Sequence, residues 1–303
     1  MTIEVVSPGM FTTVQDLGRP GYGMFGVCRC GAADPIALRI GNKLVGNPEN
    51  SAALEMTLLG GTFRFTTDAT VALTGAECRL PMWRTLTIAA GESLKIGGMQ
   101  SGSRIYLCVQ GGIAVPLFAG SASTHVLSGL GGFEGRALRK GDVLHIGKPT
   151  TTSVDRFISP ETLALLAPRK ILRVTAGPQA QQFSDSSICA FYRSTFQVTD
   201  DSNRLGLRLD GAHIEAPLSG QMITEGVSLG AIQIPASGQP IILFVDQQTT
   251  GGYPKLANVI TADLPSVGQL RPRDEIQFEL VVPQFAQYLL LQQESLLRSA
   301  CDN

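Results

Sequence analysis

The sequence predicts a mostly β protein built from short strands, with few short helices and a helix at its C-terminus, on three observations. First, 34 glycines and 17 prolines interrupt the chain often. Second, short alternating or apolar runs lie between the breaks, at Thr62 to Phe65, Val71 to Thr74, Ile105 to Val109, Ile171 to Val174 and Ile241 to Val245. Third, one entry pattern recurs in Gly91-Glu92-Ser93-Leu94-Lys95-Ile96, Gly141-Asp142-Val143-Leu144-His145-Ile146 and Arg273-Asp274-Glu275-Ile276-Gln277-Phe278. Each is a polar turn followed by residues that alternate between two faces of a strand.

Helical signals are fewer. Asp34-Pro35-Ile36-Ala37-Leu38-Arg39-Ile40 supplies a capping carboxylate, a proline at the first helical position and apolar residues at helical spacing, ending before Gly46. Lys148 to Arg169 is rich in Thr and Ser ahead of Ser159-Pro160-Glu161 and a short helical run, which marks a domain boundary. The expected organisation is therefore a domain over 1–150, a linker over 151–168, a second domain over 169–282 and a helix with tail over 283–303. In that last segment Phe285, Leu289, Leu296 and Leu297 share one helical face, opposite Gln287, Gln292, Gln293 and Glu294. Such a helix packs on its own domain or on a partner. The halves also echo each other: D-x-x-R-x-G occurs at Asp16 and Asp201, and E-x-x-x-L-G at Glu55 and Glu225. Duplication and coincidence both account for this.

The bulk numbers exclude several function classes. With 303 residues, 44% of them apolar and 16% charged, the chain buries a substantial core unaided by disulfide or metal. A net charge of −1 gives no basic surplus for a phosphate backbone, so nucleic acid is not expected as a ligand. The N-terminus MTIEVVSPGM lacks the basic and apolar regions of a secretory signal, and no run of apolar residues is long enough to span a membrane. Cys28, Cys30, Cys78, Cys108, Cys189 and Cys301 are scattered without C-x-x-C pairs, which suits reduced thiols and a cytoplasmic location. Cys28-Arg29-Cys30 alone cannot complete a four-ligand cage, and no metal is expected.

The densest polar and glycine-rich stretch runs from Gly238 to Lys255. An apolar strand, Ile241 to Val245, delivers Asp246, Gln247, Gln248, Thr249 and Thr250 into Gly251-Gly252, whose N–H groups are placed to face an oxyanion. The same residues also suit a tight turn held by side-chain-to-backbone bonds. A second stretch comprises Gly111-Gly112, Ser121 to Thr124 and Gly129 to Arg136, where Glu134 and Arg136 can pair with each other or with a ligand. It is not G-x-x-x-x-G-K-[ST], so a P-loop does not hold nucleotide here. Arg19 and Arg204 are shaped to grip a carboxylate, or to make a local ion pair with the aspartate three residues earlier. Glu55 and Glu225 are candidate acid–base groups or hydrogen-bonded structural residues. His125, His145 and His213 are isolated along the chain, and with neither a G-x-S-x-G elbow nor a Cys/His pair legible, acyl-enzyme and metal hydrolysis have no support.

Several segments together resemble one family. They are Phe11-Thr12-Thr13-Val14-Gln15-Asp16-Leu17-Gly18-Arg19-Pro20-Gly21, Gly31-Ala32-Ala33-Asp34-Pro35, Ala53-Leu54-Glu55, Leu73-Thr74-Gly75-Ala76, Gly129 to Arg136, and Asp246 to Pro254. The resemblance is to the KipA family, which includes the C-type subunit of bacterial 5-oxoprolinase and the matching part of the urea carboxylase carboxyltransferase region. It implies two cyclophilin-like β-barrel domains and two partner subunits, one of KipI (B) type and one of A type. The complex so formed is similar to enzymes that open 5-oxo-L-proline to L-glutamate at the expense of ATP. Within that resemblance the expected site has Asp246 and Glu225 serving the chemistry, and Arg204, Arg19, Gln248, Thr249, Thr250, Gly251, Gly252 and Tyr253 lining the cleft and binding the substrate. Two alternatives travel with the family: a biotin-dependent carboxyltransferase component, for which biotin arrives on another chain because no A-M-K-M lysine is present, and a KipI-binding regulator without catalysis.

Overall fold

The computed structural model describes residues 1–149, 155–217 and 222–300. The start of the expected linker and residues 301–303 of the expected tail, Cys301 among them, lie outside the described residues. The chain divides into two units. The first comprises Met1–Arg19, Cys30–Leu166 and Ser295–Asn303, the second Pro20–Arg29 and Ala167–Glu294.

The first unit is built on β1 (Thr2–Ser7), β2 (Phe11–Gln15), β3 (Ala53–Thr57), β4 (Leu59–Phe65), β5 (Ala69–Glu77), β6 (Thr85–Ile88), β7 (Ser93–Gly98), β8 (Ser101–Val109), β9 (Ile113–Ala114) and β10 (Val143–Ile146). These form two five-stranded antiparallel sheets, ordered β7-β4-β1-β10-β9 and β2-β3-β8-β5-β6. Ile3, Val5, Phe63 and Phe65 of one sheet and Val14, Leu54, Leu73 and Leu107 of the other meet in a single buried core. The opposite face of the second sheet, through Ala53, Ala72, Tyr106 and Cys108, packs against α1 (Pro35–Leu44). Burial on both faces explains why β3, β5 and β8 read as apolar runs and not as alternations. In β7, covered on one face only, Ser93 and Lys95 are exposed while Leu94 and Ile96 are buried.

Helix α1 starts as its sequence dictates: Asp34 accepts a hydrogen bond from Ala37 N at 3.0 Å, and Pro35 follows the cap. Helix α2 (Pro160–Leu166) starts at Ser159, whose hydroxyl accepts from Thr162 N at 3.2 Å.

The second unit contains a closed barrel ordered β11 (Ile171–Ala176), β18 (Lys255–Val259), β15 (Ala231–Gln233), β16 (Ile241–Leu243), β13 (Gly206–Asp210), β12 (Phe196–Val198), β19 (Glu275–Leu280). A parallel pairing of β11 with β19 closes the ring, and the barrel's other ladders are antiparallel. A separate two-stranded ribbon pairs β14 (Glu225–Gly226) with β17 (Thr250–Gly251). Helix α3 (Asp185–Arg193) lays Phe191 on Phe278 with ring centroids 4.5 Å apart, a stacked pair inside this unit. Helix α4 (Leu264–Gln269) is short and buried throughout.

The mostly β expectation holds, with a helix, α5 (Pro283–Ser299), at the C-terminus. Two details differ from the sequence reading. Strand β16 ends at Leu243, because the chain turns at once: Gln247 N donates to Phe244 O at 2.8 Å. On α5 the packing face is displaced by one residue, so that Ala286 and Leu289 meet Ile260, Ala262 and Val281 while Phe285 stays 44% exposed. Leu297, by contrast, is buried as expected, in the first unit's α1 cluster.

Candidate functional site

Where β16 leaves the barrel, the turn is fixed by charge. Arg204 donates to Asp246 twice, Nε to Oδ2 at 2.7 Å and Nη2 to Oδ1 at 2.9 Å, and Asp246 N donates to Arg204 O at 2.9 Å. Both side chains are buried. This fork-to-fork geometry is the strongest form of the pair, and it gives the Asp246 carboxylate a partner 42 residues away in sequence. After the turn, Gln247 Nε2 donates to Val227 O at 3.1 Å and Val227 N to Thr249 O at 3.1 Å, which leads the chain into the ribbon.

The Gly251-Gly252 step differs from the expected oxyanion loop. Neither glycine adopts a positive φ. Gly251 instead pairs with Glu225 in the ribbon, and Gly252 O accepts from Met222 N at 3.2 Å. Gly251 has a packing reason to be glycine: a Cβ there would lie 2.6 Å from Gln233 Nε2.

The ribbon brings Glu225 to a polar cluster that the sequence did not announce. Glu225 Oε1 lies 2.5 Å from Lys255 Nζ and accepts from Gln179 Nε2 at 2.9 Å. Gln179 Oε1 in turn accepts from Lys255 N at 3.1 Å. Lys255 opens β18 directly opposite Gln233 of β15, and the two are 3% and 1% exposed. Among the described residues Gln233 Nε2 has no hydrogen-bond partner, whereas Lys255 Nζ is paired with Glu225. The Glu225 side chain is 43% exposed. Lys255 first, then Gln179, holds the Glu225 carboxyl below the usual range, so it is an ionised acceptor at neutral pH. The cluster thus couples a solvent-facing acceptor to two buried donors.

Among the other expected site residues, Gln248, Thr250 and Tyr253 are exposed, and Thr249 and Gly252 are half-buried, along the same segment. Arg19 belongs to the first unit. There its guanidinium donates to Phe118 O at 3.3 Å and to Ser123 O, and stacks 5.4 Å above the Phe118 ring. Asp16 accepts from Ser121 Oγ at 2.7 Å, Ala122 N at 2.7 Å and Ser123 Oγ at 2.5 Å, so Asp16 and Arg19 both tie down the 118–124 segment. The two D-x-x-R-x-G copies therefore make different contacts. Glu55 is buried and accepts from Tyr106 Oη at 2.6 Å and Ala33 N at 2.9 Å. Burial first, then Glu55, pushes the Tyr106 hydroxyl far up. Glu134 pairs with Arg136 at 2.6 Å, beside a cavity of about 400 Å³ lined by Val115, Phe118, Phe133, Val143 and the exposed His145. His125, isolated along the chain, has a ring nitrogen within 4.8 Å of the Cys30 thiol.

Gln179, Gln233 and Lys255 are the residues sequence reasoning passed over. One signal was present: Gln233 interrupts the apolar run Ala231-Ile232-Gln233-Ile234, and a glutamine in a buried strand needs a polar reason.

Comparison with known proteins places the chain. Residues 25–280 match the family model described as carboxyltransferase domain, subdomain A and B. The C-type subunit of 5-oxoprolinase from Escherichia coli (strain K12) is 42% identical over 284 residues, covering 91% of this chain and 90% of that protein. The protein of the same name in Haemophilus influenzae is 38% identical, covering 92% and 91%. The crystal structure of the Kluyveromyces lactis urea carboxylase superposes with a TM-score of 0.89 at 32% identity, covering 98% of this chain and 29% of that larger one. Across nearly its whole length, through both the two-sheet unit and the closed barrel, the chain belongs to the carboxyltransferase-domain family, subdomains A and B, whose members include the C-type subunits of 5-oxoprolinase.

Proposed function

We propose that the chain is the C-type subunit of an ATP-dependent 5-oxoprolinase complex, which hydrolyses 5-oxo-L-proline to L-glutamate together with KipI-type (B) and A-type subunits in the cytoplasm. The observation that carries this is the 42% identity to a protein of that name over nearly the whole length of both chains. Within this reading the β14–β17 ribbon and its approach, Asp246 to Tyr253, form one wall of the reaction cleft. Glu225 is its ionised acid–base group, and the Arg204–Asp246 pair holds the turn that presents Gln248, Thr249 and Thr250. ATP enters as a co-substrate of the complex, and activation of the amide gives these donors developing negative charge to stabilise.

The test is reconstitution. The purified chain mixed with the A- and B-type subunits should release glutamate only when both ATP and 5-oxo-L-proline are present, and omission of this chain should abolish release. A second reading, a urea-type carboxyltransferase component, is favoured by the structural likeness to urea carboxylase. It requires bicarbonate-dependent, avidin-sensitive carboxylation in place of glutamate release.

A further inference from the structure

Along the chain Cys28-Arg29-Cys30 supplies two soft ligands and no more, which is why the sequence alone completes no cage. Folding adds a third. The thiol sulfurs of Cys28 and Cys30 and a ring nitrogen of His125 lie within 4.8 Å of one another, the only such group of three His, Cys, Asp or Glu ligand atoms among the described residues. Cys30 and His125 both belong to the first unit, and Cys28 is kept beside Cys30 by the chain itself. Backbone bonds pin each side. His125 and Leu130 exchange N–H to O hydrogen bonds at 2.8 and 3.1 Å, closing a short turn, and Thr124 N donates to Val14 O at 3.0 Å. On the cysteine side Ala32 N donates to Asp16 O at 2.8 Å, and Gly31 runs so close to Leu17 and Gly18 that a Cβ would meet their backbone at 2.9 Å. Cys30 itself is held at a φ of 54°, a conformation uncommon outside glycine and sustained only by surroundings that fix it.

The chemistry of these three atoms selects the ligand. No carboxylate belongs to the group, so hard cations such as Mg²⁺ and Ca²⁺, which take oxygen ligands, find nothing here. Two thiolates with one imidazole form a set that holds Zn²⁺ through three protein ligands and leaves its fourth position open. A tetrahedral zinc centre with bonds of about 2.0–2.3 Å sets its ligand atoms roughly 3.3–3.8 Å apart, so side-chain adjustments of about 1 Å close the group around an ion. Because the metal takes the place of protons on its ligands, it requires none of them to lack a partner in the metal-free fold. His125 is half-buried and is followed by exposed Val126 and Leu127, which puts the group near the surface and within reach of an ion from solvent. We propose that Cys28, Cys30 and His125 form a binding site for one Zn²⁺ ion. Loaded, the site ties the 28–30 segment to the turn at 125–130 and stabilises the fold that presents its ligands. It shares no residue with the proposed reaction cleft and stands whether or not that reading does.

Titration of the reduced, chelator-treated full chain with Zn²⁺, against a competing chromophoric chelator and in excess Mg²⁺, tests it. One equivalent should bind, and Co²⁺ put in its place should show thiolate-to-metal charge-transfer absorption. C28S, C30S and H125Q should each weaken Zn²⁺ binding at least about a hundredfold, more than the loss of an outer-shell partner costs. C78S and C189S, which remove thiols elsewhere in the chain, should bind as the wild type does. Zn²⁺ should also raise the melting temperature of the wild type progressively with its free concentration, an effect that H125Q should lose. Should the cysteine variants not fold, the wild-type Co²⁺ spectrum and the H125Q titration carry the test. No Zn²⁺ binding at micromolar concentrations, a cobalt complex without thiolate absorption, unchanged binding in folded C30S or H125Q, or binding lost in C78S overturns the proposal.

Discussion

Arg204 and Asp246 show how a residue's chemistry depends on its partner. The sequence reading gave Arg204 to the substrate and Asp246 to the chemistry; in the structure their bidentate contact at 2.7 and 2.9 Å, both buried, makes each the other's counter-charge. Removing one leaves a buried charge uncompensated, which costs roughly 3–5 kcal/mol. Asp246→Ala is therefore expected to lower unfolding stability by that order in urea melts, with turnover falling as a consequence. Glu225→Gln, at a half-exposed position and still an acceptor for the buried Lys255 ammonium, should lower the melt by less while abolishing turnover. An Asp246→Ala protein with wild-type stability and no activity would return Asp246 to direct chemistry. The contrast is one of burial, since both residues are paired carboxylates.

At the scale of elements, helix α1 and the turn before β10 each rest on a local arrangement that a single substitution tests. Gly41 lies in α1 against the sheet, where a Cβ would come 2.6 Å from Cys108 Sγ and 2.9 Å from Thr74 Oγ1. Alanine ordinarily gains about 1 kcal/mol over glycine inside a helix. Overpacking of about 1–3 kcal/mol opposes that gain here, because the Cys108 side chain is fully enclosed. Gly41→Ala should thus be destabilising, and Cys108→Ala added to it should restore part of the loss, a coupling that a double-mutant cycle reads directly. In the turn, Asp142 accepts from Arg136 at 2.8 and 2.9 Å and from Arg139 N at 2.7 Å. Hydrogen bonding from Arg136, ahead of that from Arg139 N, holds its carboxyl below the usual range. A carboxyl lowered on folding stabilises above its unfolded pKa, about 3.9, and that stabilisation disappears as pH falls through the lower folded value. Asp142→Asn should accordingly flatten the dependence of stability on pH below about 4, leaving the neutral-to-alkaline limb unaltered.

Across the whole molecule, the two units solve the edge problem of short strands differently. The second closes seven strands into a ring, which removes exposed edges, and the first faces two five-stranded sheets and covers one of them with α1. Each unit builds its polar constellation where chain leaves the sheets: Asp16 and Arg19 after β2 in the first, Asp246, Glu225 and Lys255 around the ribbon in the second. In the proposed reading, function at this scale is a property of the assembly. The decisive measurement is accordingly the reconstitution described above, with glutamate release requiring this chain.

Strands and caps were legible because their signals are local. Two-residue alternation marks β7 and β10, and Asp34-Pro35 marks the start of α1, whatever the rest of the chain does. Helix α3 escaped notice because it buries only Ser187 and Phe191, too few for a periodic stripe, and α4 because it is buried all round. The family could be read from motifs, and the segment Asp246 to Tyr253 stood out as a contiguous polar and glycine-rich stretch. Only the tertiary structure decided that Arg204 answers Asp246, that Gly251 lies in a ladder, and that Gln179, Glu225, Gln233 and Lys255 meet. The physical reason is that strand pairing sets neighbours by hydrogen-bond register. Residues dozens of positions apart become adjacent through a ladder of backbone bonds, and no side-chain pattern along the chain records which strands will share one.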